Sequence, residues 1–426
     1  MDLRLKIKKR TQPEWLVWLL IFAPFSFGVL FDFLPVPALL KYVVDVAWVM
    51  LLIIVAMNMY RQKIKMDSDV KTLSIWVLAF LVFTFVTYIF NYQSALYYIM
   101  GVRNNFRFYV AFLSFIIFIQ EDDVDTYLKL FDYIFWINAV VMLFQYFALG
   151  YNQDNLGGLF GTQSGCNGYV NIFFVIICAK SIVFYLDKKE KTLNMMSKCA
   201  AALLLATFAE IKFFFIEFFV IILVDVLVSG NSVRKILVIS SGVIAVFISV
   251  NLLFILFPYF SNLNTFETLW EHQMAGYTGS DTIGRLSSIP MISELFLDTV
   301  PKKLAGLGLG NCDTSNVSFL NTPFYQTYGY LRYFWFSTAH ITLETGYIGF
   351  TLFSGFFALV AILSAINIKK NSPHTLYFRL SVVAAISCIL VVIYNSSLRT
   401  EAAYMIYFIL SLPFALKNNS TGMNES

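Results

Sequence analysis

Residues 38–60, ALLKYVVDVAWVMLLIIVAMNMY, form an almost uninterrupted apolar run that is long enough to cross a lipid bilayer as a helix. A helix rises about 1.5 Å per residue, so about 20 residues span a hydrocarbon layer about 30 Å thick. Comparable runs occur at 15–31, 38–60, 72–91, 95–118, 126–149, 166–186, 199–209, 213–228, 236–257, 335–368, 376–394 and 401–416. The pattern predicts an all-α bundle of about twelve transmembrane helices.

The composition favours the same class of protein. Of the 426 residues, 59% are hydrophobic and only 13% are charged, which is more apolar side chain than a soluble core of this size could bury. The five cysteines show no CxxC motif or paired spacing, so neither a disulfide framework nor a zinc site is indicated. The net charge of +4 is explained by basic turns between the predicted helices, so it gives no reason to expect a nucleic-acid partner.

These basic turns predict the orientation, because lysine and arginine near the ends of spans are retained in the cytoplasm. They precede the first run and recur in alternate turns, at Arg4, Lys6, Lys8, Lys9, Arg10, Arg61, Lys63, Lys65, Lys71, Lys188, Lys189, Lys191, Lys198, Arg234, Lys235, Lys369 and Lys370. Both termini are therefore predicted to be cytoplasmic. On this topology residues 1–257 hold transmembrane helices one to nine, 258–334 form a large extracytoplasmic loop, and 335–426 hold helices ten to twelve and a cytoplasmic tail.

A second set of cations departs from this rule, because its members fall at or beyond the outer ends of predicted spans. A cation that faces lipid at mid-bilayer costs about 2.5 to 3.5 kcal/mol, so such residues are normally paired or face a water-filled cavity. An anionic ligand in the outer leaflet would explain their shared depth. The set consists of Arg103, Arg107, Lys212, Arg285, Arg332 and Arg399.

Simpler interpretations of these cations stay open. Arg103 and Arg107, which share a helix face, could extend to lipid headgroups. Arg399 could pair with Glu401 to cap the last hairpin. The stretch ATFAEIKFFF, residues 206–215, predicts two short apolar arms that meet at a polar turn, where a structural Glu210–Lys212 pair fits as well as ligand binding does.

The predicted outer loop carries GSDTIGRLSS at 279–288 and VPKKLAGLGLGN at 300–311. The GxGxG spacing has no strand before it and does not indicate a nucleotide site. Its glycines are expected to end a helix over 292–304 and to allow close backbone approach. Arg285 is expected just inside a helix start that Asp281 or Thr282 caps, which is a fixed position for a guanidinium that binds diphosphate.

His340 and Glu344 lie on one face of the following helix, at the predicted level of the outer headgroups. A histidine that titrates near neutral pH beside a carboxylate could act as a general base toward a hydroxyl group. The alternative is a histidine–glutamate hydrogen bond that supports the helix. His272 is expected to be a surface residue.

The loop and its flanks carry a family resemblance. GRLSSIPMISELFLDTVPKKLAGLGLGN, followed by ETGYIGF and set late in a chain of about a dozen helices, resembles the O-antigen polymerase and O-antigen ligase family of bacterial inner-membrane proteins. EIKFFF places Lys212 at the family's second basic site and is similar to the form found in capsule and exopolysaccharide polymerases. The family histidine would fall on Trp335, so His340 is displaced from it. The loop pattern is matched by Gly284, Arg285, Pro301, Gly306, Gly308 and Gly310.

The resemblance implies a GT-C-like glycosyltransferase on the outer face of the bacterial inner membrane. It would polymerise polyprenyl diphosphate-linked oligosaccharide into O-antigen, capsule or exopolysaccharide, with membrane lipid, a chain-length regulator and a flippase as partners and no cofactor. No DxD-like carboxylate pair occurs in the outer loop, which favours a metal-independent reaction. The implied catalytic residues are Arg285, His340 and Glu344, and the implied substrate-binding residues are Lys212, Arg103, Arg107, Glu210, Arg332 and Arg399.

Two rival functions stay open. A ligase of the same family would transfer finished glycan to a lipid or protein acceptor. A flippase or secondary transporter would typically show internal repeats and polar residues near the bilayer midplane. Lys41 and Asp45, four residues apart in the second run, are the main features that suit a transporter, and they are expected to pair.

Overall fold

The computed structural model describes residues 10–34, 36–61, 66–230, 232–258, 266–275, 282–315, 317–370 and 372–423. Within these ranges the chain is helical and contains no strand. Several residues singled out above lie outside the described ranges, namely Arg4, Lys6, Lys8, Lys9, Lys63, Lys65 and Asp281, as does the side chain of His272. The helices are α1 (Gln12–Phe22), α2 (Val43–Tyr60), α3 (Ser68–Phe90), α4 (Ala95–Phe118), α5 (Glu121–Phe147), α6 (Asn167–Leu186), α7 (Thr192–Phe208), α8 (Lys212–Val228), α9 (Arg234–Leu256), α10 (Phe266–Met274), α11 (Ser288–Leu295), α12 (Val300–Ala305), α13 (Pro323–Tyr328), α14 (Ser337–Lys369), α15 (Thr375–Tyr394) and α16 (Ala403–Met423).

Each predicted apolar run overlaps one of these helices, and the first run continues from α1 through a 3-10 turn and the π-helical turn Val29–Phe33. By length and composition, seven helices of the described chain could cross a membrane, fewer than the about twelve predicted. The chain thus has the character of a helical membrane protein. The seven are Leu40–Tyr60, Ser68–Phe90, Glu121–Phe147, Asn167–Leu186, Arg234–Leu256, Ser337–Lys369 and Thr375–Tyr394.

Polar contacts tie the helix ends together at one end of the bundle. Lys417 Nζ near the end of α16 lies 2.8 Å from Asp67 Oδ2 and 2.5 Å from Asp69 Oδ2 at the start of α3. Asn367 Nδ2, near the end of α14, donates to the same Asp69 Oδ2 at 2.9 Å. We call this the basic end, because the described basic turns 188–191 and 369–370 lie at the C-terminal ends of α6 and α14, and this is also where α16 ends. The opposite end, where α14 begins and α15 ends, is called the site end.

The interior between the two ends is largely aromatic. Phe131 contacts Phe25 and Phe173 edge to face, with ring centroids 5.8 and 6.0 Å apart. Tyr407 stacks on Phe356 at 5.8 Å where α14 meets α16. Such pairs add about 0.5 to 1.5 kcal/mol each beyond the area that they bury. Rigid rings therefore fix the relative positions of the helices that carry the site.

Helix α14 is interrupted at Gly346, whose φ of 63° and ψ of −168° are not helical. The glycine-rich turn packs against this break: Leu307 N donates to Leu343 O at 2.9 Å, and Gly308 N donates to Glu344 O at 2.8 Å. A Cβ on Gly346 would lie 2.4 Å from the backbone carbonyl of Leu304. The predicted close approach of backbone at the glycines is confirmed.

Two local predictions in this region are wrong. A continuous helix over 292–304 does not form; α11 ends at Leu295 and α12 begins at Val300, with Pro301 in its first turn. Proline lacks the N–H group that a helix interior needs and favours the first turn of a helix, which explains why a new helix begins at Val300. Arg285 lies in the turn before α11 and not inside a helix start.

The two short arms predicted around residues 206–215 are confirmed as α7 and α8, of 17 residues each. They meet at Glu210, whose φ of 55° is left-handed. This turn brings the start of α8 and the Lys212 side chain to the site end.

Candidate functional site

A cavity of about 480 Å³ opens at the site end. Its walls come from the first turns of α6 and α8, the end of α15, the segment 395–400 and the corner between α1 and α2. The partial positive charge at the starts of α6 and α8 favours an anion in this space. Three cationic side chains line the cavity, Lys41, Lys212 and Arg285, among polar residues that include Asn167, Asn171, Asn395, Ser397 and Thr400.

Arg285 is held against aromatic rings at the cavity wall. Its guanidinium carbon lies 4.3 Å from the ring centroid of Tyr394 and 5.5 Å from that of Phe336. Tyr394 in turn stacks on Phe213 with centroids 4.1 Å apart. One guanidinium nitrogen, Nη1, donates to Gln273 Oε1 at 3.2 Å. Cation–π contacts restrict the position of the planar guanidinium, a group whose N–H donors match oxygen ligands.

Lys212 begins α8, and its Nζ lies 3.2 Å from Glu210 Oε1. The predicted structural pair is therefore present, and both of its members line the cavity. Arg285 is close enough for its charge to act on Lys212. Two cations from segments far apart in the sequence thus reach the same space.

A second polar centre is buried beside the cavity and is organised by Arg399. Arg399 Nη2 donates to Asp313 Oδ1 at 2.8 Å, Nε donates to Asn105 Oδ1 at 3.3 Å, and Nη1 contacts His340 Nδ1. The side chains of Arg399 and Asp313 are 8% and 9% exposed. The Arg399–Glu401 pair, one of the two interpretations of the sequence, does not form, because the guanidinium at the end of the 3-10 turn Ser397–Arg399 contacts Asp313.

His340 Nε2 lies 3.2 Å from Asp313 Oδ1 and 3.2 Å from Glu344 Oε1, without good hydrogen-bond alignment to either oxygen. Because a guanidinium N–H can only donate, Nδ1 is the acceptor and Nε2 carries the proton of the neutral ring. Glu344 Oε1 also accepts from Cys312 N at 3.0 Å. The histidine–glutamate contact that was one interpretation of the sequence is therefore present in the structure.

The ligand atoms of Asp313, His340 and Glu344 lie within 4.8 Å of one another, a spacing that a metal ion could bridge. The donor set does not fit a cation well. The Arg399 guanidinium contacts two of the three side chains, Asp313 and His340, and the other ring nitrogen of the histidine, Nε2, bears a hydrogen. Mutual contacts among these groups explain their grouping without an ion.

The charge of Asp313 is fixed by its neighbours. Burial alone would raise the pKa of this carboxyl, but the Arg399 guanidinium, with contributions from His340 and Asn104, holds the pKa well below its usual range. Asn104 Nδ2 donates to the second oxygen, Oδ2, at 2.9 Å. Asp313 is therefore an ionised group inside the protein, and it anchors the glycine-rich turn to α4 and to Arg399.

Arg107 and Arg103 on α4 are engaged in ion pairs. Arg107 Nη1 donates to Glu401 Oε1 at 3.0 Å, and its Nη2 donates to Arg399 O at 3.3 Å. Burial opposes ionisation of Glu401, but Arg107 and a 2.6 Å hydrogen bond from Tyr169 lower the pKa of that carboxyl to about 2.

Arg103 donates to both oxygens of Asp45, from Nε at 3.0 Å and from Nη2 at 2.6 Å. Asp45 therefore pairs with α4, and the expected Lys41–Asp45 pair is wrong. Arg332 is exposed in a left-handed conformation, with its guanidinium carbon 5.2 Å from the Trp335 ring centroid.

The predicted site residues thus fall into groups. Arg285, Lys212 and Glu210 line the cavity, whereas His340, Glu344 and Arg399 belong to the buried centre. Arg103, Arg107 and Arg332 lie elsewhere, as described above. Sequence reasoning missed Lys41 as a cavity residue and Asp313 altogether. The only sequence signal for Asp313 is a carboxylate directly after the glycine-rich turn.

Comparison with known proteins does not assign the chain to a family: no protein-family model matches it, and no curated protein matches it.

Proposed function

We propose that the protein is a membrane glycosyltransferase that polymerises polyprenyl diphosphate-linked oligosaccharide units into surface polysaccharide on the outer face of the bacterial inner membrane. The observation that carries the proposal is the meeting of Arg285 and Lys212 in one polar cavity at the site end. A cavity of this kind in a bundle of apolar helices suits a ligand with an anionic headgroup and a lipid tail.

The proposed reaction breaks the bond between the anomeric carbon of the donor sugar and the diphosphate oxygen, and it forms a bond from that carbon to the oxygen of an acceptor hydroxyl, whose proton passes to the leaving diphosphate. Negative charge develops on the leaving diphosphate. A guanidinium fixed on Tyr394 and an ammonium at the start of α8 stabilise this charge in a partly dehydrated site. Trp335 and Phe336 offer ring faces for sugars, and Asn395 and Ser397 offer polar contacts.

Within this proposal His340 and Glu344 are positioning residues. Their side chains are 1% and 0% exposed, and neither lines the cavity. They act through Asp313 and the glycine-rich turn, which they hold against α14. The cavity-lining segment 395–400 is connected to them directly, since it contains Arg399.

The proposed orientation places the site end outside and both termini in the cytoplasm. The described basic turns at the basic end support this assignment. Donor glycans linked to polyprenyl diphosphate would then enter the cavity from the outer leaflet.

The test is Arg285→Ala, with Arg285→Lys and the control Arg61→Ala, in purified protein reconstituted with a polyprenyl diphosphate-linked repeat unit. Loss of a charge-assisted contact worth about 1.5 to 3 kcal/mol predicts a roughly ten- to hundredfold lower rate of polymer formation for Arg285→Ala. Arg285→Lys should restore little, because an ammonium does not reproduce the bidentate contact. Arg61→Ala should keep activity, because Arg61 is exposed after the end of α2 and does not line the cavity.

Full-length polymer from Arg285→Ala would disprove this site. Glycan transfer that requires an added lipid or protein acceptor would identify a ligase instead. Movement of the intact lipid-linked glycan across vesicles, without a new glycosidic bond, would identify a transporter.

A further inference from the structure

We propose that Lys41 is a third cation of the donor site and that it contacts the diphosphate together with Arg285 and Lys212. The inference rests on the proposed function and deepens it. It adds a residue from the corner between α1 and α2, a part of the chain that the sequence did not connect with the site.

The first step is that Asp45 does not neutralise Lys41. Asp45 accepts two hydrogen bonds from Arg103, at 3.0 and 2.6 Å, and a third from Trp48 Nε1 at 3.1 Å. Lys41 belongs to the 3-10 turn Ala38–Tyr42, whereas Asp45 lies in the first turn of α2. The donors to Asp45 are therefore Arg103 and Trp48, and Lys41 is not among them.

The second step is that Lys41 reaches the cavity. It is half-buried, it lines the same cavity as Arg285 and Lys212, and its Nζ lies 4.8 Å from the ring centroid of Phe31, another lining residue. A ring face attracts an ammonium, but it does not replace the oxygen acceptors that the ammonium has in water. Lys41 is therefore placed to bind an oxygen ligand in the cavity.

The third step is that the carboxylates of the cavity are engaged by other donors. Asp32 accepts from Thr162 N at 2.5 Å and from Gln163 Nε2 at 2.9 Å. Asp154 accepts from Asn167 Nδ2 at 2.6 Å, and Glu210 faces Lys212 at 3.2 Å. These bonds hold the loop between α5 and α6 and the turn between α7 and α8, so the acidic side chains have roles in the cavity wall.

A lysine near the apolar part of a membrane is normally paired or faces water or a ligand. A diphosphate carries several anionic oxygens, which is more than one guanidinium binds in a bidentate contact. A cavity of about 480 Å³ with cations from three separate segments fits such a group better than it fits a single phosphate. The ligand class that we assign to Lys41 is therefore the diphosphate of a polyprenyl-linked donor.

The experiment measures binding of undecaprenyl diphosphate and undecaprenyl monophosphate to the full chain in nanodiscs by native mass spectrometry. Lys41→Ala and Lys41→Gln are compared with Lys189→Ala, a control at the basic end whose side chain is 55% exposed. We expect both Lys41 variants to bind the diphosphate lipid roughly ten- to hundredfold more weakly, with a smaller loss for the monophosphate. Lys41→Arg should retain most of the affinity, and Lys189→Ala should bind as the wild type does.

Suppose that the folded Lys41→Ala and Lys41→Gln variants bind the diphosphate lipid with wild-type affinity, while Arg285→Ala weakens that binding. This result would overturn the role of Lys41 alone. An equal loss for both lipids would overturn the diphosphate assignment. Failure of the wild-type protein to bind the diphosphate lipid would overturn the proposed function as well. Intact folding of each variant is checked by its thermal unfolding temperature in the same nanodiscs.

Discussion

Replacing Arg399 with methionine is expected to destabilise the protein strongly, because the change leaves a buried carboxylate without its cation. Arg399 Nη2 lies 2.8 Å from Asp313 Oδ1, and the two side chains are 8% and 9% exposed. Removal of one partner from a buried ion pair typically costs about 3 to 5 kcal/mol. The same change also removes the contacts to His340 and Asn105. We therefore expect a loss in the upper half of that range.

A double-mutant cycle separates the ion pair from the packing around it. Asp313→Asn alone leaves Arg399 buried with a neutral amide, and it should also be destabilising. The combined Arg399→Met and Asp313→Asn variant removes both charges, so it should be more stable than the sum of the single losses by about 1 to 3 kcal/mol. Arg399→Lys should recover part of the loss, since one ammonium cannot contact both Asp313 and His340 with the geometry of the guanidinium.

The assay is the free energy of unfolding in mixed detergent micelles, followed by intrinsic fluorescence. Lys302→Met provides a matched control, because Lys302 and Asp298 also form an ion pair, at 2.7 Å, but their side chains are 44% and 65% exposed. Solvent and salt screen an exposed pair of this kind, so we expect no clear loss of stability for the control. A loss below about 1 kcal/mol for Arg399→Met, or strict additivity in the cycle, would refute the role of the buried pair.

Two further changes test the packing of the bundle. Gly346→Ala should lower the thermal unfolding temperature far more than Gly150→Ala. The φ angle is positive at both positions, but a Cβ at 346 would lie 2.4 Å from the Leu304 carbonyl, whereas a Cβ at 150 would meet nothing within 4 Å. Equal shifts in the unfolding temperature would contradict the packing argument. Glu217→Gln should leave the thermal unfolding temperature unchanged or raise it. Neither carboxyl oxygen has a hydrogen-bond partner among the described residues, and an amide of the same shape avoids burial of a charge beside Asn171. A clear drop in the unfolding temperature would show that the carboxylate is needed for stability.

The sequence predicted the helices well because the signal for each one is local. Each apolar run that length and hydropathy identified overlaps a helix of the structure, and the polar break in ATFAEIKFFF correctly separated α7 from α8. Local chemistry also predicted that glycines 306, 308 and 310 would allow close backbone approach. The interruption of α14 at Gly346 was not predicted, since a glycine within an apolar run is tolerated in many helices.

The partners of the charged residues were harder to predict, because they depend on how helices pack and not on spacing within one helix. The i, i+4 rule suggested Lys41 with Asp45, but Asp45 pairs with Arg103 on a neighbouring helix. Nearness in sequence suggested Arg399 with Glu401, but the turn between α15 and α16 sends these side chains to different partners. His340 and Glu344 do follow the i, i+4 rule, because they lie in one regular helical segment.

The shared depth of the outer cations in the sequence suggested that one anionic ligand binds them all, and the structure divides them instead. Three of the arginines are each matched by a carboxylate inside the protein, so this group is neutral by itself and its burial needs no ligand. Two of the cavity cations differ: Arg285 rests on aromatic rings and the carboxylate considered beside Lys41 has another partner, whereas Lys212 is paired with Glu210. Our proposal of an anionic substrate therefore rests on Arg285 and Lys41 in the cavity and not on the number of cations at the site end. The matched pairs are Arg103 with Asp45, Arg107 with Glu401, and Arg399 with Asp313.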